Sequence, residues 1–401
     1  MRKADAGEGC DLAETTDVLV IGGGVFGLAA ARCCADAGLG VILCEGSFIG
    51  ATHQGAASSG VVGALTPHRP EQWRAFKEFQ LQALISLPDW MAGLQAETGT
   101  DPGYRQNGRL MPLSGEDQRA QAEAQAVEAQ THWRGAGRFE VLDAPPDGVD
   151  QWLEPTFCSH GVIHDTLSAQ VAPRRYLEAL ADWLDPRIDL REGWFCVAID
   201  PETAVARFPE GEIAAGHVIL AAGTRVFNLI ELMTKRRMGG GVKGQAALLA
   251  CDSGVEAAPV VQSDGIYVID HGNGQVGVGS TSEKRWDGID CDDLLEDLIG
   301  RARTLSPILA DAPVTDRWAG LRPRASATVP MIGPLPDTPR VIAAAGGYKI
   351  GLAIAHVVGG AVAAMVQGRP ALISVPEECD PAAHFDHGAS GPQDGFDQFG
   401  Q

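Results

Sequence analysis

The stretch VLVIGGGVFGLAAARCCADAGLGVILCE, residues 18–45, decides the fold. Val18, Leu19, Val20 and Ile21 form a short run of apolar residues, the pattern of a parallel strand buried on both faces. Gly22, Gly24 and Gly27 follow in G-x-G-x-x-G spacing. An alanine-rich helix then runs to about Ala37, and Gly38 is placed to cap it. Cys33 and Cys34 fall inside this helix as small packing residues. Val41 to Cys44 reads as a second strand, ending on Glu45. Strand, glycine turn, helix and strand together make a βαβ unit. Gly22 permits the tight turn, Gly24 lets the backbone approach a pyrophosphate, and Gly27 allows close helix–strand packing. The helix N-terminus offers free N–H groups and partial positive charge to phosphates. Glu45 can accept both ribose hydroxyls, and no Arg follows it to take a 2′-phosphate. The unit therefore calls for a dinucleotide without separating FAD from NAD.

Working outward, residues 50–70 are rich in Gly, Ala, Ser and Thr and read as a loop with a short helix. An amphipathic helix is expected near 74–94, a polar helix around 116–130, and another helix after Pro173. Three short β segments run from Phe195 to Leu220, with turns at Asp200-Pro201-Glu202 and Glu210-Gly211. A strand-rich block covers 242–282 and a helix about 291–304. Glycine and alanine dominate 341–364. The acidic, Gly/Pro-rich stretch 377–401 reads as a disordered tail.

Three further segments narrow the cofactor. Val218 to Gly223 is a strand ending in small residues, Ala221-Ala222-Gly223. Trp318-Ala319-Gly320-Leu321-Arg322-Pro323 precedes Pro330-Met331-Ile332-Gly333. Ala343 to Gly351 carries Gly346-Gly347-Tyr348-Lys349-Ile350-Gly351 and opens onto an alanine/valine helix. Together with the N-terminal unit, these resemble the D-amino acid oxidase and glycine oxidase superfamily of FAD-dependent oxidoreductases. The resemblance spans Asp17 to about Gly368. It implies an α/β fold: a Rossmann-type FAD-binding domain interleaved with a mixed, mainly antiparallel substrate domain. The FAD-binding parts are expected at 15–75, 150–230 and 320–376, and the substrate parts at 76–149 and 231–319.

The resemblance also implies roles for particular residues. Ala57-Ser58-Ser59-Gly60, with Gly63 to Pro67, looks like the second flavin loop and is similar to that in the oxidase half of a tRNA-uridine maturation enzyme. Val171, in Gln170-Val171-Ala172-Pro173, would meet the adenine through its main chain. Ala222, Gly223, Gly347, Tyr348, Ile350 and Gly351 would line the cofactor. Thr52 and His53 lie in a stretch only loosely similar to one whose His carries FAD covalently in some relatives, so the FAD is expected to be non-covalent. His68 has no assigned role. Arg322 would clamp the substrate carboxylate, a task its planar, always-charged fork suits; the alternative is a structural ion pair. Tyr267 would touch the same carboxylate or be a half-buried strand aromatic. Ser282 would line the pocket, and Lys243-Gly244-Gln245 would enter the substrate domain over the flavin. Lys349 departs from the family, where an Arg stands nearby; it would supply positive charge to the flavin or face solvent.

The implied reaction is hydride transfer from the C–N carbon of an amino acid or amine to flavin N5, with oxygen or a quinone as acceptor. The residues leave open a D-amino acid, glycine, sarcosine, an opine, another secondary amine or a 2-hydroxy acid. They also leave open a flavin subunit of a multi-subunit amine or opine dehydrogenase, and a flavin-fold binding protein without turnover. A net charge of −21 opposes a sequence-independent nucleic-acid surface and anionic lipid. The 9 cysteines are scattered, with no C-x-x-C pair, so neither a disulfide framework nor a metal site is expected, and reduced thiols in a cytoplasm are. Residues 1–16 lack the basic start and apolar stretch of a secretory signal, and no apolar run suits a membrane span.

Overall fold

Short apolar runs bounded by glycine become the central strands of a parallel sheet, because only a strand covered on both faces can bury every side chain. The computed structural model describes residues 13–52 and 55–388. In chain order the first half comprises β1 (Glu14–Ile21), α1 (Val25–Asp36), β2 (Val41–Glu45), β3 (Ala64–Leu65), α2 (Ala75–Thr98), β4 (Arg109–Pro112), α3 (Glu116–Trp133), β5 (Phe139–Leu142), β6 (Val162–Asp165), β7 (Ala169–Gln170), α4 (Pro173–Leu184) and β8 (Asp189–Glu192). The second half comprises β9 (Ala198–Asp200), β10 (Val205–Phe208), β11 (Gly211–Leu220), α5 (Arg225–Thr234), β12 (Gly239–Ala250), β13 (Val260–Ser263), β14 (Ile266–Asp270), β15 (Gln275–Gly279), α6 (Asp293–Leu305), β16 (Val314–Ala325), β17 (Met331–Leu335), β18 (Thr338–Ala345), α7 (Gly351–Val366) and α8 (Pro381–Gly388).

Two large sheets organise these elements. The first runs β17-β18-β11-β1-β2-β8, with β10 and β9 added beyond β11. Its central pairings are parallel, and β17 joins antiparallel at the edge. The second runs β16-β12-β15-β14-β13-β4-β6-β5 and is antiparallel except where β13 meets β4. This is the expected α/β architecture with a mixed, mainly antiparallel second sheet. Helices α1, α2, α4 and α7 cover one face of the first sheet, and the other face buries Phe208, Phe227 and Met238. Small residues let α1 and α7 approach closely: a Cβ on Gly359 would stand 2.6 Å from the Ala29 carbonyl.

Sheet membership departs from the expected segment limits in two places. β6 lies inside 150–230 and β16 runs past residue 320, yet both belong to the second sheet. Of the stretch 377–401, residues 377–388 are also corrected, and 389–401 lie outside the described residues. Residues 377–379 form a 3-10 turn and α8 follows, started by Asp380, whose Oδ1 accepts from the Ala382 N–H at 2.8 Å. Cys379 and His384 are fully buried, and Phe385 packs beside Met331 and Leu335. Composition missed this because a few buried side chains hold a short helix down even when the surrounding sequence is acidic and glycine-rich. Among the described residues, no helix is long and apolar enough to cross a membrane.

Candidate active site

The glycine turn after β1 owes its shape to contacts that no side chain could share. Gly22 adopts φ +109°, and a Cβ there would stand 2.5 Å from the Ala222 Cα. A Cβ on Gly27 would stand 1.8 Å from the Gly22 carbonyl oxygen. Gly24 differs: its missing Cβ would press on Ser58 Oγ at 3.3 Å and meet the Ala221 carbonyl at 3.9 Å, and the residue borders an open space. That space is a cavity of 660 Å³ lined by Gly22–Phe26, Glu45, Ser58–Gly60, Ala222, Gly223 and Gly347–Gly351. Its volume falls within the roughly 300–1,000 Å³ of small-molecule sites.

The donor groups around the cavity fit a dinucleotide. Glu45 accepts the Gly23 N–H at 2.7 Å and the Ser47 N–H at 2.8 Å, which fixes its carboxylate and leaves lone pairs for hydroxyls. Ser58 Oγ accepts the Val25 N–H at 3.1 Å and so ties the second loop to the start of α1. The Ser59 carbonyl accepts from Arg174 Nε at 3.0 Å, which anchors that loop from behind. Tyr348 adopts φ +44°, rare for a bulky residue, and lies with Lys349 on the cavity wall. Lys349 is exposed, with its ammonium 5.6 Å from the Tyr348 ring, so its charge sits at the rim.

Several expected contacts fall elsewhere. Val171 is fully buried, donates its N–H to the Gly63 carbonyl at 2.9 Å and is not on the cavity wall. Trp194, Phe195 and Cys196 line the cavity instead, because the Trp194 N–H bonds the Glu45 carbonyl at 2.9 Å and draws that segment to the end of β2. Phe195 opening the first of three β segments was the available signal. Thr52 is exposed and off the wall, and His53 lies outside the described residues. Ser282 is exposed, its Oγ 3.2 Å from Tyr348 Oη, while Ser280, two residues earlier, faces the cavity. Lys243 and Gln245 are buried away from the wall: Lys243 Nζ lies 2.7 Å from Asp292 Oδ2, and Gln245 Nε2 donates to Asp292 Oδ1 at 2.7 Å. His68 is on the wall, but its ring packs against Gln80 Oε1, and burial holds its pKa below the ordinary value.

Arg322 is the buried cation of the cavity wall, only 8 % exposed. Strand β16 carries it between two loops: the Leu321 N–H bonds the Gly55 carbonyl at 2.9 Å, and the Tyr348 N–H bonds the Pro323 carbonyl at 3.0 Å. Its guanidinium lies flat across Gly244 of β12, where a Cβ would stand 2.0 Å from Nη2. Nη1 donates to the Thr281 carbonyl at 3.0 Å and Nη2 to Ser280 Oγ at 2.6 Å. Both partners are neutral, and burial pushes the guanidinium below its ordinary pKa. A structural ion pair would need a carboxylate in place of these oxygens. A buried cation so placed favours an anion from solution. Tyr267 stands on the same wall, half-buried on β14. Gly244 was legible in principle, since a glycine inside a strand marks a close approach.

A family model described as FAD dependent oxidoreductase matches residues 17–365. The glycine oxidase of Pseudomonas putida is 30% identical over 351 residues, which cover 84% of this chain and 91% of that protein. The glycine oxidase of Bacillus subtilis is 24% identical over 356 residues, covering 88% and 93%. The hydrogen cyanide synthase subunit HcnC of Pseudomonas aeruginosa is 26% identical over 324 residues, covering 76% and 73%. Among solved structures, glycine oxidase from Geobacillus kaustophilus superposes with a TM-score of 0.79 at 20% identity, covering 92% of this chain and 98% of that one. At that identity the likeness speaks for the fold.

Proposed function

The chain belongs to the FAD dependent oxidoreductase family, and from that premise we propose that it oxidises the C–N bond of a carboxylate-bearing amino acid or secondary amine. It is an FAD-dependent enzyme of the glycine oxidase and amino acid oxidase type. The observation that carries the finer reading is Arg322, a buried cation with neutral partners on the wall of the cofactor cavity. Its fork binds the substrate carboxylate, and Tyr267 supplies a second hydrogen bond to it. With the carboxylate fixed, the Cα–H is presented to the part of the cavity edged by Gly347 and Tyr348. FAD, when bound, supplies the acceptor for the hydride and its two electrons. The substrate nitrogen lone pair forms the C=N bond as the hydride leaves, and water hydrolyses the released imine. Gly22, Gly24, Glu45 and Ser58 hold the pyrophosphate and ribose end, and Phe48 and Phe195 flank the far end.

Oxygen is the proposed second acceptor, in keeping with the glycine oxidases among the relatives. Likeness to the hydrogen cyanide synthase subunit supports a second reading, a flavin subunit that passes electrons to a partner. The experiment is anaerobic addition of amino acids and secondary amines to the FAD-loaded protein, followed by air. Bleaching of the flavin and its return in air supports the oxidase reading. Bleaching without return moves the chain to the subunit reading. No bleaching with any carboxylated amine overturns the substrate class.

A further inference from the structure

We propose that Gln262 sets substrate specificity by donating a hydrogen bond from Nε2 to a second oxygen on the substrate, at the end away from the carboxylate held by Arg322. The inference rests on the substrate class proposed above. Gln262 is half-buried on β13 and lines the cavity. Its Oε1 lies 2.6 Å from Arg109 Nη1. Arginine has donors and no acceptor, so the carboxamide oxygen must face Arg109 and the NH₂ must face away from it. Among the described residues, Nε2 has no protein partner.

The carboxamide is held from behind by a buried charge pair. Arg109 Nε and Nη2 each lie 2.7 Å from Asp165 Oδ2, and Arg109 is 5% and Asp165 0% exposed. Asp165 also accepts the Ser168 N–H at 2.7 Å and the Ser168 hydroxyl at 2.9 Å. A pair so enclosed has nothing to do with solvent. What it presents to the cavity is one oriented N–H donor.

Strand register places that donor relative to Arg322. Gln262 lies opposite Tyr267, and Tyr267 lies opposite Gly279. Directly opposed residues share a face of the sheet. The Arg322 fork reaches from β16 across Gly244 to Ser280, the residue after Gly279. Guanidinium, phenol and carboxamide thus stand in sequence along the wall, over two strand spacings, or about 10 Å between the end backbones. A small amino acid leaves the far donor unmatched. One with a short side chain or N-substituent ending in a carboxylate or carboxamide oxygen meets both ends.

The test uses the FAD-loaded protein and amino acids or N-substituted glycines matched in length, ending in a carboxylate, a carboxamide or a methyl group. Anaerobic flavin reduction and binding to the oxidised protein, read from the flavin spectrum, are both measured. The wild type is expected to favour the oxygen-ended compounds by roughly tenfold or more, the effect of one well-placed hydrogen bond to a charged or polar group. Gln262→Leu is expected to erase that preference, so that the ratio of oxygen-ended to methyl-ended compound falls to about one. Gln262→Glu is expected to reject the carboxylate end and still accept the carboxamide. Equal treatment of the three ends by the wild type, or a preference that survives Gln262→Leu, overturns the proposal. Should Gln262→Leu fail to retain FAD, Gln262→Met keeps the length and removes the N–H. If no compound bleaches the flavin, the proposed reaction fails, while the spectral binding ratio still judges Gln262 on its own.

Discussion

Arg322 and the glycines of the cavity wall test the proposed division between substrate and cofactor. Arg322→Ala is expected to remove a charge-assisted fork worth about 3 kcal/mol, and so to slow substrate-driven flavin reduction on the order of a hundredfold. FAD content should be unchanged, because the proposed cofactor contacts lie at Gly22–Gly27 and Gly347–Gly351. Arg322→Lys should recover little, since a point charge lacks the fork. Stopped-flow reduction checks both; a parent-like rate in the Ala variant returns Arg322 to a structural role. Gly244→Ala acts on the same fork from below. Its methyl would stand where Nη2 lies, so the guanidinium must move, and a loss of roughly tenfold in reduction rate with intact FAD is expected. Gly24→Val tests the other end. Its side chain would project into the cavity, and acid-released flavin measured against protein should fall to near zero. Full flavin content in a folded Gly24→Val protein would falsify the placement of the pyrophosphate.

At the scale of elements, the site is built where loops from the first sheet meet strands of the second. β16 belongs to the second sheet, yet it is stitched to the loop before Ser58 and to the loop after β18. That is why one strand can carry the proposed substrate residue, Arg322, next to the two proposed cofactor loops. Helix α8 has a humbler part. Its Phe385 packs against the cluster that holds Met331 and Leu335 of β17, and Pro381 sits 3.0 Å from where a Cβ on Gly333 would be. Truncation after Asp380 is expected to lower the temperature of FAD release by several degrees, since each kcal/mol lost shifts the midpoint by roughly 2–4 °C in larger domains. Flavin fluorescence during heating reads this directly. An unchanged midpoint shows that α8 adds nothing to the first sheet.

Among the described residues, His271, His356 and His384 are buried. Burial holds His68, His271 and His356 below their ordinary pKa, His356 down to about 4. His356 stands in the α7–α2 interface, its Nε2 2.9 Å from Ser86 Oγ. Its folded pKa lies below its unfolded one, so the unfolded chain takes up the proton first as pH falls. Stability from this residue is therefore full above about pH 6.5 and declines down to about pH 4, by about 3 kcal/mol. Urea unfolding at pH 7.5 and pH 5 is expected to show lower stability in acid, with a smaller difference in His356→Leu. Equal slopes against pH in the two proteins would exclude His356 as a source.

A family resemblance pointed to Arg322, Tyr267 and the Gly347–Gly351 segment; by itself the sequence determined the βαβ unit and its dinucleotide turn. Those features are local: glycine spacing, apolar runs and strand-end acids act within a few residues of themselves. The structure alone decided which residues share a wall. Val171 gave way to Trp194–Cys196, and Ser282 to Ser280, because facing is set by strand register and by hydrogen bonds between distant segments. The same holds for Gln262 and its Asp165–Arg109 support, which lie on three different strands. A carboxamide in sequence is one polar residue among many. Only the sheet turns it toward a cavity and places it two strands from Ser280, where the Arg322 fork ends.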